Sequence, residues 1–326
     1  WKLLADHTRE PFGAMGRALV PPIYESTDQL DEWWQRLGQT IELVCSQKFD
    51  PRIAFETMAT LDTFFWAYSG QNVRPYLERY IGHAHEDFAK PAFPELTAPF
   101  DRPRRPGKPR IGYMSYRLQR FNGSRWALGW MVNHSKDFET YAFNLNPRED
   151  DVSLRWRHNA DHYFHMPTPV ASAAPFIRSL DLDALIFTDI GMDGPTIQLS
   201  LLRLARMQMT AWGHPVTSGS PVIDCYLSSE LMEPPDGDQH YVEKLVRLPG
   251  SGLTYPRVEV VGSDKSRAEL GLPEGGFIFC AQRSSKLLPR HDALFREVSD
   301  RTGKPIVFIN QGDEDGGHIF RRRLKA

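Results

Sequence analysis

The sequence is poor in cysteine, in long apolar runs and in charge of one sign. Only three of its 326 residues are cysteine. Cys45, Cys225 and Cys280 lie far apart with no CxxC or Cys/His spacing, which argues against a disulfide framework or a zinc site and for buried free thiols in a reducing, cytoplasmic setting. No apolar run reaches the length of a membrane span, and no signal-peptide pattern opens the chain, so no membrane span is expected. With 39 Lys and Arg against 41 Asp and Glu, the formal net charge is −2. That gives no general attraction to nucleic acid or to acidic lipid, and no nucleic-acid partner is expected. Two short basic clusters, "RPRRPGKPR" (102–110) and "FRRRLK" (320–325), read as solvated linker and helix surface. Three common motifs are also missing. There is no GxGxxG at a first strand, no GxxxxGK[ST] and no GxSxG, which weakens dinucleotide, P-loop and serine-hydrolase readings alike.

What is present is ordinary globular material, 41% hydrophobic and 25% charged, long enough for two compact domains and an accessory piece. The chain opens on Trp1 rather than Met and stops abruptly, so it reads as part of something longer. Residues 1–95 look helical, in a repeat-like or bundle arrangement. "ESTDQLDEWWQRLGQTIELVCSQ" starts with a Ser26/Gln29 capping-box spacing and places Leu30, Trp33, Leu37, Ile41 and Val44 at helical intervals. A second helix is expected from Pro51 through "IAFETMATLDTFFWAY", and a third over "RPYLERYIGHAHEDFA". The aromatic stripe of Trp33, Trp34, Phe64, Phe65 and Trp66 reads as core or an inter-domain face rather than as a ligand box. A stretch dense in Pro and charge then marks a linker, placed at 96–109. Beyond it, β-rich runs ("RIGYMSY", "FETYAFNL", "DALIFTDIG", "RMQMTAW", "VIDCYLS", "EKLVRLP") alternate with helix-compatible stretches. That alternation predicts an α/β lobe with a mostly parallel sheet over 110–255. A second lobe begins in 256–326 and holds only about two β/α units, too few to cover a sheet.

In open α/β sheets, ligands bind beyond the carboxyl ends of the strands. Four loops qualify: "RLQRFNGSR", "TDIGMDGPT", "GHPVTSGS" and "QRSSK". In "TDIGMDGPT" the glycines permit close backbone approach and Asp189 is the better-placed carboxylate. A plain turn with Asp193 near a helix cap is the simpler alternative. "FCAQRSSKLLP" offers Gln282, Arg283, two serines and Lys286 at a strand end, donors suited to a diphosphate, with a helix start to follow. His158, His162 and His165 have a spacing that could suggest a metal. Their strand-like, aromatic-rich setting without an acid argues against it, and no metal is expected.

Taken in order, "IGYMSY", "DIGMDGPTIQLSLLRLARMQMTAWGHPVTSGSPVIDCYLSS", "YVEKLVRLPG" and "LGLPEGGFIFCAQRSSKLLP" resemble the O-GlcNAc-transferase family over roughly 109–310. That family also includes bacterial relatives that glucosylate adhesin asparagines. The resemblance implies a GT-B fold with two Rossmann-like lobes, here with the second incomplete, behind a helical acceptor-handling domain. It implies inverting transfer from a UDP-sugar between the lobes, without a metal. By motif, Gln282 and Lys286, with Arg283 beside them, correspond to the nucleotide and diphosphate contacts. Gly213, His214 and Pro215, with Thr217 and Ser218, correspond to the sugar and acceptor side. Three departures stand out. Relatives often carry a His in the loop after the first strand, where this chain has Phe121 and Asn122. Arg206 stands where relatives usually have Pro, and the rest of the second lobe is absent.

The expected function is therefore transfer of a hexose or N-acetylhexosamine from a UDP-sugar to a protein Ser, Thr or Asn. His214 and Lys286 are the catalytic candidates, Asp189 and Asn122 line the cleft, and the base is unassigned. Lys286 would take up diphosphate charge, and His214 would position sugar or acceptor rather than act as base. Two other readings remain: a non-catalytic relative whose helices bind protein beside a degenerate lobe, and a GT-B enzyme acting on lipid or polysaccharide.

Overall fold

The structure is a computed structural model, and it describes residues 20–60, 63–101, 103–255, 261–309 and 317–325. The described residues fall into two compact units, the first drawn from 38–67 and 72–255, the second from 20–37, 68–71 and the residues from 261 onward.

The first unit is built on a seven-stranded sheet: β1 (Arg110–Ser115), β2 (Glu139–Asn144), β3 (His162–His165), β4 (Ala184–Phe187), β5 (Met207–Ala211), β6 (Cys225–Ser229) and β7 (Lys244–Leu248). Its order is β3-β2-β1-β4-β5-β6-β7, and every pairing is parallel. Helices cover it, which is why central strands such as "ALIF" are continuously apolar rather than alternating. One core cluster gathers Tyr113, Trp126, Met131, Trp156 and Ile186 from strands and helices. From β1 the chain winds outward to β3, then crosses back to β4 on the other side of β1. That reversal is the topological switch point where such sheets open a crevice at their carboxyl ends.

Two elements went unread in the sequence. Asn122–Val132 forms a helix, α4, where a loop was expected. Its Trp126, Leu128 and Met131 are buried, but the glycines and the polar start of "FNGSRWALGW" mask the helical period. A second helix, α5 (Asp151–Asn159), starts on Asp150, whose Oδ1 accepts from the amides of Val152 and Ser153 at 2.9 and 3.0 Å.

The expected N-terminal helices are α1 (Thr27–Ser46), α2 (Pro51–Thr57) and α3 (Arg74–His83), with α3 running on through a π-helical turn over Ala84–Ala89. The second expected helix is shorter than its sequence suggests: beyond Thr57 it loosens into 3₁₀ turns, including Phe64–Ser69. These helices do not form a unit of their own, and the division between units falls within α1. The reason is burial. α7 (Gly194–Ser200; α6 is Val170–Ser179) covers the end of α2, and Gln198 Nε2 donates to the Phe55 carbonyl at 2.7 Å. Just past α7, the Leu201 carbonyl lies 2.8 Å from His85 Nδ1.

The second unit pairs β8 (Ile278–Cys280) with β9 (Ile306–Phe308) in parallel, and adds α8 (Asp292–Thr302) and α9 (Gly317–Lys325). Phe295, Phe308 and Phe320 meet edge-on, with centroids 5.0 to 6.3 Å apart. The basic run 320–325 is not all surface. Arg323 turns inward and donates to the carbonyls of Tyr24 and Leu287 and to Asp292. Four of the five guanidinium donors are used in this way, two of them on the Asp292 carboxylate, which ties α9 to the start of α8.

Candidate functional site

The first unit concentrates polar groups at the switch point between β1 and β4. Ser115, the last residue of β1, donates its hydroxyl to Asp189 Oδ2 at 2.8 Å, and Thr188 donates to Oδ1 at 3.1 Å. Asp189 is buried. Burial raises its pKa to about 6, although both hydroxyls and the charge of Arg117 favour the ionised form.

Four residues on, Asp193 caps α7, its Oδ1 accepting from the Thr196 amide at 2.8 Å. Its Oδ2 is out of solvent and has no hydrogen-bond partner among the described residues. Burial first, and the neighbouring Asp189 second, push its carboxyl up to about 7. Arg117 follows β1. Its amide donates to Ser115 Oγ at 2.7 Å, and its guanidinium lies 5.8 and 5.2 Å from the rings of Tyr116 and Phe121. Its Nε is buried, again with no partner among the described residues. An apolar recess of about 230 Å³ opens at the same strand ends, lined by Tyr116, Leu145, Pro147, Pro167, Pro195 and Leu199.

The loop after β5 locks onto this cluster. Gly213 donates its amide to the Thr188 carbonyl at 3.0 Å. A Cβ at Gly213 would fall 2.2 Å from that oxygen, so no other residue fits. Gly191, with φ of +98°, presents an open edge to the His214 ring, whose Cδ2 would lie 2.6 Å from a Cβ there. His214 is 3% exposed and stacks on Phe64 with centroids 5.8 Å apart. Neither ring nitrogen has a partner among the described residues, and burial lowers its pKa to about 4. The ring is therefore neutral near pH 7.

The other residues of this loop divide by role. Pro215 is exposed. Thr217 donates its hydroxyl to Glu243 Oε2 at 2.6 Å, while Ser218 gives both its amide, at 2.8 Å, and its hydroxyl to Oε1. Both hydroxyls are spent on holding the loop. Glu243 was missed in the sequence, where nothing distinguishes it from other acidic residues near strands. Asn122 is the exposed first residue of α4, and a Cβ on the adjacent Gly123 would lie 3.9 Å from Gly213 Cα. The structure thus gathers Asp189, Gly213, His214 and Asn122, and adds Asp193 and Arg117.

The second unit carries the cationic loop. After β8, Gln282 and Arg283 are exposed, and Ser284–Lys286 make a 3₁₀ turn closed by the Lys286 amide on the Arg283 carbonyl at 2.9 Å. Lys286 is exposed with its ammonium 5.8 Å from the Tyr68 ring centroid. Burial raises the Tyr68 pKa, against the opposing charge of Arg283. Leu288 anchors the loop in a small core with Tyr24 and Leu30. The helix expected to follow directly is separated from the loop by another 3₁₀ turn, Pro289–His291, before α8 begins.

Among the described residues, no three His, Cys, Asp or Glu are grouped so as to hold a metal ion. His162 sits 2.8 Å from Glu139, and His165 is 2.7 Å from the Asn146 carbonyl. Arg206, where a proline was the usual expectation, pairs with buried Asp181 at 2.8 Å.

No protein-family model matches the chain. Among curated proteins, it is 28% identical over 185 residues to the probable UDP-N-acetylglucosamine–peptide N-acetylglucosaminyltransferase SPINDLY of Oryza sativa, covering 53% of this chain and 20% of that protein. It is 25% identical over 266 residues to the corresponding probable enzyme SEC of Arabidopsis thaliana, covering 76% and 27%. The chain therefore spans about a fifth to a quarter of these relatives. Among solved structures, a Lys-to-Met variant of the Thermobaculum terrenum O-GlcNAc transferase matches with a TM-score of 0.70 at 21% identity, over 99% of this chain and 60% of that one. That likeness establishes the GT-B type of α/β fold, with the second lobe incomplete. In sequence and in fold, the chain is thus similar to proteins named as O-GlcNAc transferases, in keeping with the resemblance of its ordered motifs.

Proposed function

We propose that this chain is part of an inverting, metal-independent glycosyltransferase that moves a hexose or N-acetylhexosamine from a UDP-sugar to a protein side chain. The observation that carries this reading is the placement of the motif loops. "TDIGMDGPT" and "GHPVTSGS" both end parallel strands and interlock around buried polar groups, in a chain whose relatives are named as UDP-N-acetylglucosamine–peptide transferases. In such a reaction an acceptor attacks the anomeric carbon while the diphosphate departs from its opposite side. Without a metal, cationic donors must take up the diphosphate charge, and Gln282, Arg283 and Lys286 supply a carboxamide, a guanidinium and an ammonium on one exposed loop. His214 is neutral and enclosed, which suits shaping the sugar and acceptor side better than accepting a proton.

The test is UDP release by the full-length protein from a panel of UDP-hexoses and UDP-N-acetylhexosamines in the presence of Ser-, Thr- and Asn-bearing peptides. Lys286→Ala should lower kcat/KM by about 100-fold or more, the scale of losing one donor to a developing anion. A full-length protein that binds no UDP-sugar, or a Lys286→Ala protein as active as the wild type, would overturn the assignment. The first outcome would favour a protein-binding relative without transferase activity.

A further inference from the structure

The assignment above leaves the proton unaccounted for. The departing diphosphate needs no acid at neutral pH, but the attacking hydroxyl or carboxamide must lose a proton. The loop after β1, residues 116–122, carries no His, Asp or Glu, so it offers neither an imidazole nor a carboxylate to accept that proton.

The titratable groups at the switch point can be separated by what their atoms already do. Asp189 has both oxygens occupied, by Ser115 and Thr188. His214 is stacked on Phe64 with its edge on Gly191, and its depressed basicity makes it a poor proton acceptor near neutrality. Glu243 is saturated by Thr217 and Ser218. Asp193 differs. One oxygen caps α7, and the other is buried without a partner among the described residues. An orphaned carboxylate oxygen is costly to keep out of water unless a ligand completes it.

We propose that Asp193 Oδ2 is the proton acceptor for the incoming side chain of the protein acceptor. The proposal rests on the glycosyltransferase reading. In the step, a bond forms from the acceptor oxygen or nitrogen to the anomeric carbon. The bond from that carbon to the diphosphate oxygen breaks, its electron pair leaves with UDP, and the acceptor proton passes to Oδ2. The groups that set the ionisation of Asp193 are Asp189, just after β4, which raises its pKa, and the hydrogen bonds of Thr196 and, more weakly, the charge of Arg117 after β1, which lower it. His214, beside Gly191, is neutral. Burial prevails and brings Asp193 to about 7, the range in which a general base works at physiological pH. The recess lined by Tyr116 and Pro195, the residues next to Arg117 and two beyond Asp193, holds about 230 Å³.

The dual role of Asp193 makes the test clean, because Asn caps a helix about as well as Asp but cannot take the proton. In the full-length protein, Asp193→Asn should bind UDP-glucose or UDP-N-acetylglucosamine with unchanged affinity in calorimetry and unfold no lower than the wild type, since the uncharged amide is spared the cost of ionising a buried carboxyl. Its kcat should fall by about 100- to 10,000-fold. The acid limb of the wild-type kcat/KM profile, near the Asp193 pKa, should vanish in the variant. Wild-type kcat in Asp193→Asn, a retained acid limb, or a loss confined to donor affinity would each overturn the proposal while leaving the transferase reading intact. A wild-type protein that neither binds nor turns over any UDP-sugar would overturn that reading and this proposal together.

Discussion

The polar loop ends of the first unit and the "QRSSK" loop of the second use opposite physical strategies. In the first, Asp189 and His214 are enclosed and Asp193 is half-buried with its Oδ2 out of solvent, and burial shifts every one of their pKa values toward the uncharged form. Their geometry is set by close contact that requires glycine, with backbone at Gly213 and with the His214 ring, at a positive φ, at Gly191. In the second, Gln282, Arg283 and Lys286 are exposed, and the fold secures only the apolar residues that follow them. Groups of the first kind are preorganised at a cost in stability. Those of the second are solvated at little cost and gain strength only when a ligand displaces that water.

That contrast can be broken or sharpened by substitution. The largest effect should come from Gly213→Ala, because the new Cβ would meet the Thr188 carbonyl and the Asp189 side chain at 2.2 and 2.7 Å. A loss of about 3 kcal/mol or more is expected in chemical unfolding, the scale of severe overpacking against backbone. Next comes the pH dependence of His214. Above pH 6.5 the ring is neutral in both states; as pH falls toward 4 the unfolded chain takes up a proton that the folded one refuses, so this group's contribution is lost. Asp189 and Asp193 act in the other direction. Their raised pKa values favour the fold at low pH, and that contribution is lost as pH rises through about 6 to 7. His214→Phe should therefore gain on the wild type between pH 6.5 and 4, by up to about 3 kcal/mol at about 1.4 kcal/mol per pKa unit. A constant offset across that range would mean that His214 protonates freely in the fold.

Smaller still is the cap of α1 in the second unit. Ser26 Oγ accepts from the Gln29 amide at 3.1 Å, and Gln29 Oε1 reaches back to the Glu25 amide at 2.7 Å. Ser26→Ala should cost about 1 kcal/mol. Lys286→Ala should move the unfolding temperature least, since an exposed side chain away from special contacts is worth within about 0.5 kcal/mol. A large stability loss there would erase the distinction between the two loops.

The sequence showed where chemistry could sit but not which atoms were free to do it. The strand-end loops were legible because apolar runs broken by Gly, Asp and Ser are local features. Thr217 and Ser218 looked like open hydroxyl donors until Glu243, some 25 residues on, was seen to hold both. Asp193 looked like a simple cap, which its Oδ1 is, while Oδ2 points to something else. Helix α4 was hidden because glycines interrupt its apolar period, and at Gly129 the reason is distant in sequence: a Cβ there would fall 2.4 Å from Thr254.

By itself the sequence determined the alternation of strands and helices, the α1 cap, the loop inventory and the family likeness. All of these depend on residues within a few positions of one another or on their linear order. Only the tertiary structure decided which carboxylate keeps an unpartnered oxygen, which histidine is enclosed and neutral, and that the N-terminal helices do not stand as a unit of their own. Those properties depend on burial, and burial is set by segments far apart in the chain that the sequence does not mark as neighbours.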